Sequence, residues 1–433
     1  MNQKICRKRR QDLMSMIGDG VAIITTAHHQ SRNGDVLFQF RPDSDFYYLT
    51  HFPEPEAVAV FIPGRKEGEF VLFCREKDPF KEQWDGRRAG TEGAIETYGA
   101  DQAFPIHELN DRLPEFMDNQ EKVYTMMGRY PEFDSEILTG IKAVQSKQRS
   151  GIQAPWEYVD LRHILHEMRL IKQKEEMIIM RAASKLAAAG HVRAMQYTEP
   201  GKYEYQVQAE LECEFRLGGS EYNAYPSIVA GGENACILHY IDNNCVLNDG
   251  DLLLIDAGAE IDCYASDITR TFPVNGKYSA EQRALYDVVL AAQLASIEAV
   301  KPNNTVIQYH DAAVEALTSG LVDIGLLSGN INDLIETGAY QKFYVHRTGH
   351  WLGMDVHDVG DYKIDDDWRL LEPGMVLTVE PGLYISPSDD VDEKWHNIGI
   401  RIEDDVHVTR DGNEVLTGDV PKNADEIEKL MAG

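Results

Sequence analysis

Apolar runs and their spacing divide the chain into two parts with different rhythms. In the first part, Leu13, Met14 and Ile17 recur at helical spacing over 8–17. Short apolar runs follow at 21–26, 57–62 and 70–74, with Pro63-Gly64 marking a hairpin turn before the last. Runs of this length between turn residues predict strands, so this part reads as α/β. The stretch 146–155 is polar, basic and broken by Gly151 and Pro155, and it reads as a linker. This places a first domain at 1–155, a junction at 156–172 and a second domain at 173–433.

From Gln173 the pattern repeats itself. Helices are predicted over 173–197 and 203–217, separated by Glu199-Pro200-Gly201. Val207, Leu211 and Phe215 stand four apart on one face of the second. Strands are predicted over 252–261 and 263–272. The same order then recurs: a helix near 280–300, a break at Lys301-Pro302-Asn303, a helix near 305–317, and strands at 376–379 and 398–408. The strands also match. Gly250 and Gly374 each open a mostly apolar run, an acid stands six positions on (Asp256, Glu380), and a glycine follows two later (Gly258, Gly382). A diverged duplication with its halves packed face to face brings Asp256 and Glu380 to one central place.

Composition narrows the partners. With 43% hydrophobic and 26% charged residues the chain is ordinary for a globular protein and long enough to bury a full core. Against 42 basic residues stand 72 acidic ones, a net charge of −30. That excess repels phosphate, which excludes nucleic acid and disfavours an anionic membrane surface. The six cysteines form no C-x-x-C pair and read as free thiols in a reducing compartment. Lys4 and Arg7–Arg10 start the chain basic, but no apolar leader or membrane-spanning run follows, so a cytoplasmic location is expected.

The chemistry lies in acids beside apolar strands. Asp256 follows Leu252–Ile255, Glu380 follows Val376–Val379, Asp267 precedes Ile268, and Glu403 sits on an alternating strand between Ile402 and Asp404. Singly, each reads as a strand-end acid facing water or a salt bridge. Four at symmetric places need a shared cation to offset their repulsion. His350 is the fifth candidate, in a cluster with His346 and His357 and with His239 upstream. Two divalent ions would balance the four carboxylates. The oxygen-rich donor set suits manganese, with cobalt, iron or zinc compatible by ligand type. Such a pair activates a bridging water as hydroxide and clamps a carbonyl oxygen, the chemistry of a two-metal hydrolase. The chain has no Gly-rich phosphate loop, H-E-x-x-H pair or G-x-S-x-G elbow.

These residues resemble the pita-bread metallopeptidases, and within them the aminopeptidase P (Xaa-Pro aminopeptidase) family. The resemblance covers nearly the whole chain. It is carried by Arg41-Pro42-Asp43-Ser44-Asp45, Ile255-Asp256-Ala257-Gly258, Ser266-Asp267-Ile268-Thr269-Arg270, His350-Trp351-Leu352-Gly353, Thr378-Val379-Glu380-Pro381-Gly382 and Gly399-Ile400-Arg401-Ile402-Glu403. It implies a creatinase/prolidase-type α/β domain followed by a pita-bread catalytic domain with an internal pseudo-two-fold repeat. It implies that Asp256 binds one ion, His350 and Glu380 the other, and that Asp267 and Glu403 bridge both. Glu380 is then the general base. His239, His346 and His357 line the cleft, where they hold the scissile carbonyl, stabilise the oxyanion and assist nitrogen protonation. Arg401 and Tyr384 match polar positions near the metals. On the residues alone, His239 equally caps a turn before Asp242, Arg401 equally partners Asp404 or Asp405, and Tyr384 is equally plain core. Arg347, directly after His346, departs from the family pattern and bears on cleft charge. The implied substrates are peptides with proline in second position, and the implied assembly is a homodimer or homotetramer. An Xaa-Pro dipeptidase (prolidase) shares all five ligands and is the nearest alternative. Methionine aminopeptidases lack so large an N-terminal domain, and non-enzymatic or metal-free relatives lack ligands that are present here.

Overall fold

The apolar runs of the first part become strands of one sheet. In the computed structural model, which describes residues 3–433, this sheet holds Val21–Thr25 (β1), Val58–Phe61 (β2), Phe70–Cys74 (β3), Gln102–Pro105 (β4), Lys122–Thr125 (β5) and Glu157–Asp160 (β6). Their order is β4-β3-β2-β1-β5-β6. β1, β2 and β3 pair antiparallel, and the remaining neighbours pair parallel. Helices Gln3–Ile17 (α1), Leu109–Met117 (α2) and Pro131–Ser146 (α3) accompany it. Val60, Phe73 and Val123 of the strands pack with Leu113, Ile137 and Ile141 of α2 and α3. The polar stretch 146–155 lies within this unit. Ile152 and Ala154 pack against its core, and β6 extends the sheet with Tyr158 opposite Val123. The first unit therefore continues through Glu167, and the second runs from Met168 to Gly433.

The second unit holds Lys174–Tyr197 (α4), Glu204–Leu217 (α5), Ile228–Gly231 (β7), Leu252–Asp256 (β8) and Thr269–Pro273 (β9). These are followed by Ala280–Ala299 (α6), Gln308–Asp323 (α7), Val376–Val379 (β10), Gly382–Ile385 (β11), Ile398–Arg401 (β12), Asp404–Val408 (β13) and Asn413–Val415 (β14). α4 starts at a capping box, where Glu176 accepts the Gln173 N–H at 2.8 Å. One sheet runs β7-β8-β9, a second β10-β13-β14, and β11 pairs with β12.

The sequence repeat is a structural one. β8 lies between β7 and β9. β10 lies between β13 and the segment around Trp351, which bridges to Leu377. Gly250 and Gly374 turn the chain into these strands at φ of +91° and +102°, a region that favours glycine. Gly258 and Gly382 sit where the chain runs against its neighbour: a Cβ would stand 1.7 Å from the Ser266 oxygen and 2.9 Å from the Ile400 oxygen. The predicted strands 252–261 and 398–408 each break in the middle, at 257–258 and 402–403. Glu403 therefore sits in a gap between β12 and β13 rather than on a continuous strand. There its side chain leaves the ladder and turns inward.

Candidate metal centre

Each donor is placed by the strand it ends or precedes. Leu253 and Ile255 of β8 are fully buried, and Asp256 ends the ladder opposite Ile228 and Thr269. Asp267 precedes β9, and its backbone N–H donates to the buried Asp405 carboxylate at 3.2 Å. Glu380 follows β10, with its N–H on the Thr348 oxygen at 2.7 Å. The Glu403 N–H donates to the Thr269 oxygen at 3.1 Å, and the Thr269 hydroxyl donates to its carboxylate at 2.7 Å. His350 lies beside β10, where its oxygen accepts the Thr378 N–H at 2.9 Å.

These residues meet at the floor of a cavity of about 1050 Å³. Donor atoms of Asp267, His350 and Glu403 lie within 4.8 Å of one another. His350 Nε2 stands 3.4 Å from Asp267 and 3.6 Å from Glu380. Its Nδ1 lies 3.0 Å from the Trp351 carbonyl. That partner assigns one proton to Nδ1 and makes Nε2 the nitrogen that faces two carboxylates, where a bound cation would take the place of a second ring proton. The carboxyl groups point the same way. Burial raises Glu380 to about 7 and Glu403 well above the usual range. Burial also raises Asp267. His350 is raised to about 9, because Asp267 and Glu380 outweigh the opposing effect of burial. Four acids thus converge with one guanidinium, Arg401, beside them. The residues present fit divalent metal, and all five sequence candidates line one cavity.

Arg401 donates to Asp256 at 2.6 Å, to the Tyr384 hydroxyl at 2.9 Å and to the Thr269 hydroxyl at 3.1 Å. It does not pair with Asp404, whose partners are Arg270 and Lys422. Tyr384 is buried but is not plain core, since His346 Nε2 lies 2.9 Å from its hydroxyl. His346 Nδ1 lies 2.7 Å from the Arg347 carbonyl, an acceptor, so the ring proton belongs on Nδ1 and Nε2 accepts from Tyr384. Both ring nitrogens are used, and His346 offers the cleft a ring face. Burial, aided by Arg401, lowers His346 to about 4, so the ring is neutral. His357 stands edge-on to His350 with ring centres 4.2 Å apart, and burial lowers it too. His239 and His357 are exposed and line the cavity.

Some of the site escapes a reading of the sequence. The Tyr225 hydroxyl donates to Asp256 at 2.6 Å and also contacts Asp267, tying two donors together. Nothing in its spacing marks it. Asp405 orients Asp267 and was visible only as one more acid after Glu403. Thr269, in the stretch Ser266-Asp267-Ile268-Thr269-Arg270, serves Glu403 and Arg401 together.

Comparison with known proteins covers both parts of the chain. The model of metallopeptidase family M24 matches residues 178–410, and that of the aminopeptidase P N-terminal domain matches residues 6–124. The chain is 44% identical over 427 residues to Xaa-Pro aminopeptidase of Escherichia coli, covering 98% of this chain and 97% of the relative. It is 34% identical over 441 residues to human Xaa-Pro aminopeptidase 3, covering 98% and 85%. The solved structure of Pseudomonas aeruginosa aminopeptidase PepP superposes with a TM-score of 0.99 at 53% identity, covering 100% of this chain and 98% of that one. A zinc-substituted E. coli aminopeptidase P in complex with product gives 0.97 at 43% identity, covering 100% and 98%.

Proposed function

This chain belongs to metallopeptidase family M24, and we propose from that premise how its cleft removes the N-terminal residue of a peptide whose second residue is proline. Its fold is the mixed α/β one expected, an aminopeptidase P N-terminal domain ahead of a pita-bread catalytic domain. The observation that carries the mechanism is Nε2 of His350 facing Asp267 and Glu380, with Glu403 in reach. Asp256, Asp267, His350, Glu380 and Glu403 would hold two divalent ions between them, with Asp267 and Glu403 serving both. The oxygen-rich set favours manganese. When bound, the ions supply Lewis acidity toward the scissile carbonyl and lower the pKa of water.

The protein's own groups do the rest. Glu380, at the end of β10 and facing the cleft, takes the proton of the attacking water. Water oxygen joins the carbonyl carbon, the C–N bond breaks, and the proline nitrogen must gain a proton to leave as an amine. The proton taken by Glu380 passes to that nitrogen, with His239 and His357, exposed in the cleft, placed to steady the carbonyl oxygen and assist the transfer. Tyr384, Arg401 and His346 form a fixed chain of hydrogen bonds that holds Asp256. An Xaa-Pro bond has no amide N–H and a φ near about −65°, and imidazole and aromatic faces accept the ring without asking for that donor. His357→Ala is expected to keep its metal and lose about a hundredfold in kcat. Metal analysis with steady-state kinetics checks it, and loss of metal would make His357 a ligand in place of His350.

The cavity, at about 1050 Å³, lies just above the roughly 300–1,000 Å³ of ligand clefts. That favours peptides longer than a dipeptide. A panel of Xaa-Pro-Xaa peptides against Xaa-Pro dipeptides tests the reading, and cleavage of the dipeptides alone would contradict it. We also propose self-association and a cytoplasmic location. The first is supported by Phe80 and Trp84, 71% and 77% exposed on one short helix.

A further inference from the structure

Most charges lining the cleft are engaged. Arg401 holds Asp256, and Asp358 is held by Lys172 and Arg169. The remaining acids belong to the metal centre. Arg347 differs. It lines the cavity and is exposed, and among the described residues no carboxylate pairs with it. Its backbone is fixed, with its carbonyl on His346 Nδ1 at 2.7 Å. Its guanidinium lies 5.9 Å from the centre of the Trp368 ring, at the outer limit of a cation–π contact, so the ring does not satisfy it. Lys363 stands 4.7 Å from the same ring. Two cations therefore flank one indole at the cleft, in a chain whose net charge is −30. Arg347 also acts on α7: burial lowers His310 to about 4 with Arg347 adding to it, and Arg347 offsets part of the burial-driven rise of Asp311.

We propose that Arg347 is a specificity-determining residue whose guanidinium takes a carboxylate of the bound peptide outside the Xaa-Pro pair. The inference rests on the peptidase reading above. It follows from an uncommitted, backbone-anchored cation on the wall of a cleft too large for the Xaa-Pro pair alone. The carboxylate comes either from the C-terminus of a short peptide or from an acidic third residue. A guanidinium binds both in the same bidentate way.

The test measures kcat/KM of the metal-loaded enzyme on two peptide pairs. One pair is Ala-Pro-Ala with a free or amidated C-terminus. The other carries Asp or Asn third, both amidated. The wild type is expected to favour the carboxylate by about tenfold in one pair, which identifies the source. Arg347→Met brings that ratio close to one, and Arg347→Lys keeps a clear part of it. Each ratio is taken within one preparation, so partial misfolding of a variant does not change it. A ratio near one in the wild type, or one that survives in Arg347→Met, overturns the proposal. Brisk cleavage with a flat ratio overturns it alone, whereas no cleavage of any peptide overturns the peptidase reading as well.

Discussion

Glu403→Ala is expected to lose metal and activity together, with kcat/KM falling by at least about a thousandfold. Glu403 is 1% exposed and its carboxyl is raised well above the usual range, first by burial and then by Asp267, Glu380 and Asp256. A carboxylate in that position is tolerable only opposite cations. Alanine removes a donor shared by both proposed ions and leaves Asp267 and Glu380 with a smaller oxygen set. Metal content by atomic emission beside peptide hydrolysis checks it. A variant that retains two ions per chain would show that Glu403 is not a ligand.

The second large effect concerns stability, one residue away. Asp404 is fully buried between Arg270 at 2.8 Å and Lys422 at 2.7 Å, and it accepts from Thr417 and Gln293 as well. Asp404→Asn leaves both cations without their counter-charge. Removing one partner of a buried ion pair costs about 3–5 kcal/mol, so a fall in Tm on the order of 10 °C is expected by calorimetry. The pH dependence has a definite sign. Burial acts to raise the carboxyl, but Arg270 and Lys422 overcome it and hold it below the usual carboxylate range. The unfolded chain then takes up the proton first, at about 3.9. The stabilisation is complete above that value and is lost as pH falls through the lower folded value. The gap between wild type and variant should narrow on acidification. A gap that widens would place the cost elsewhere.

Features that repeat along the chain are legible in the sequence, and those that only folding assembles are not. β8 and β10 were legible because a short, mostly apolar run ending in one acid has few uses, and because the pattern occurs twice. The glycines around them were legible as a repeat, and the structure supplies the reasons: positive φ at Gly250 and Gly374, and no room for a Cβ at Gly258 and Gly382. The break between β12 and β13 was hidden, because 398–408 alternates well enough to pass for one strand. Arg401 was misleading for a related reason. Its neighbours in sequence are Asp404 and Asp405, yet β12 pairs with β11, and its side chain reaches Asp256, 145 positions back. β4 and β5 carry too few apolar residues to stand out. Tyr225 acts only through geometry that brings Asp256 and Asp267 to either side of its hydroxyl, and no local pattern announces that.

The account's central claim is that one buried set of four carboxylates and an imidazole holds two divalent ions and makes the chain a peptidase for bonds before proline. The most direct measurement titrates chelator-treated protein with manganese while following bound metal and hydrolysis of an Xaa-Pro-Xaa peptide. The account predicts no hydrolysis in metal-free protein and activity that reaches its plateau as two ions bind per chain. Full activity in protein stripped of divalent metal would contradict it.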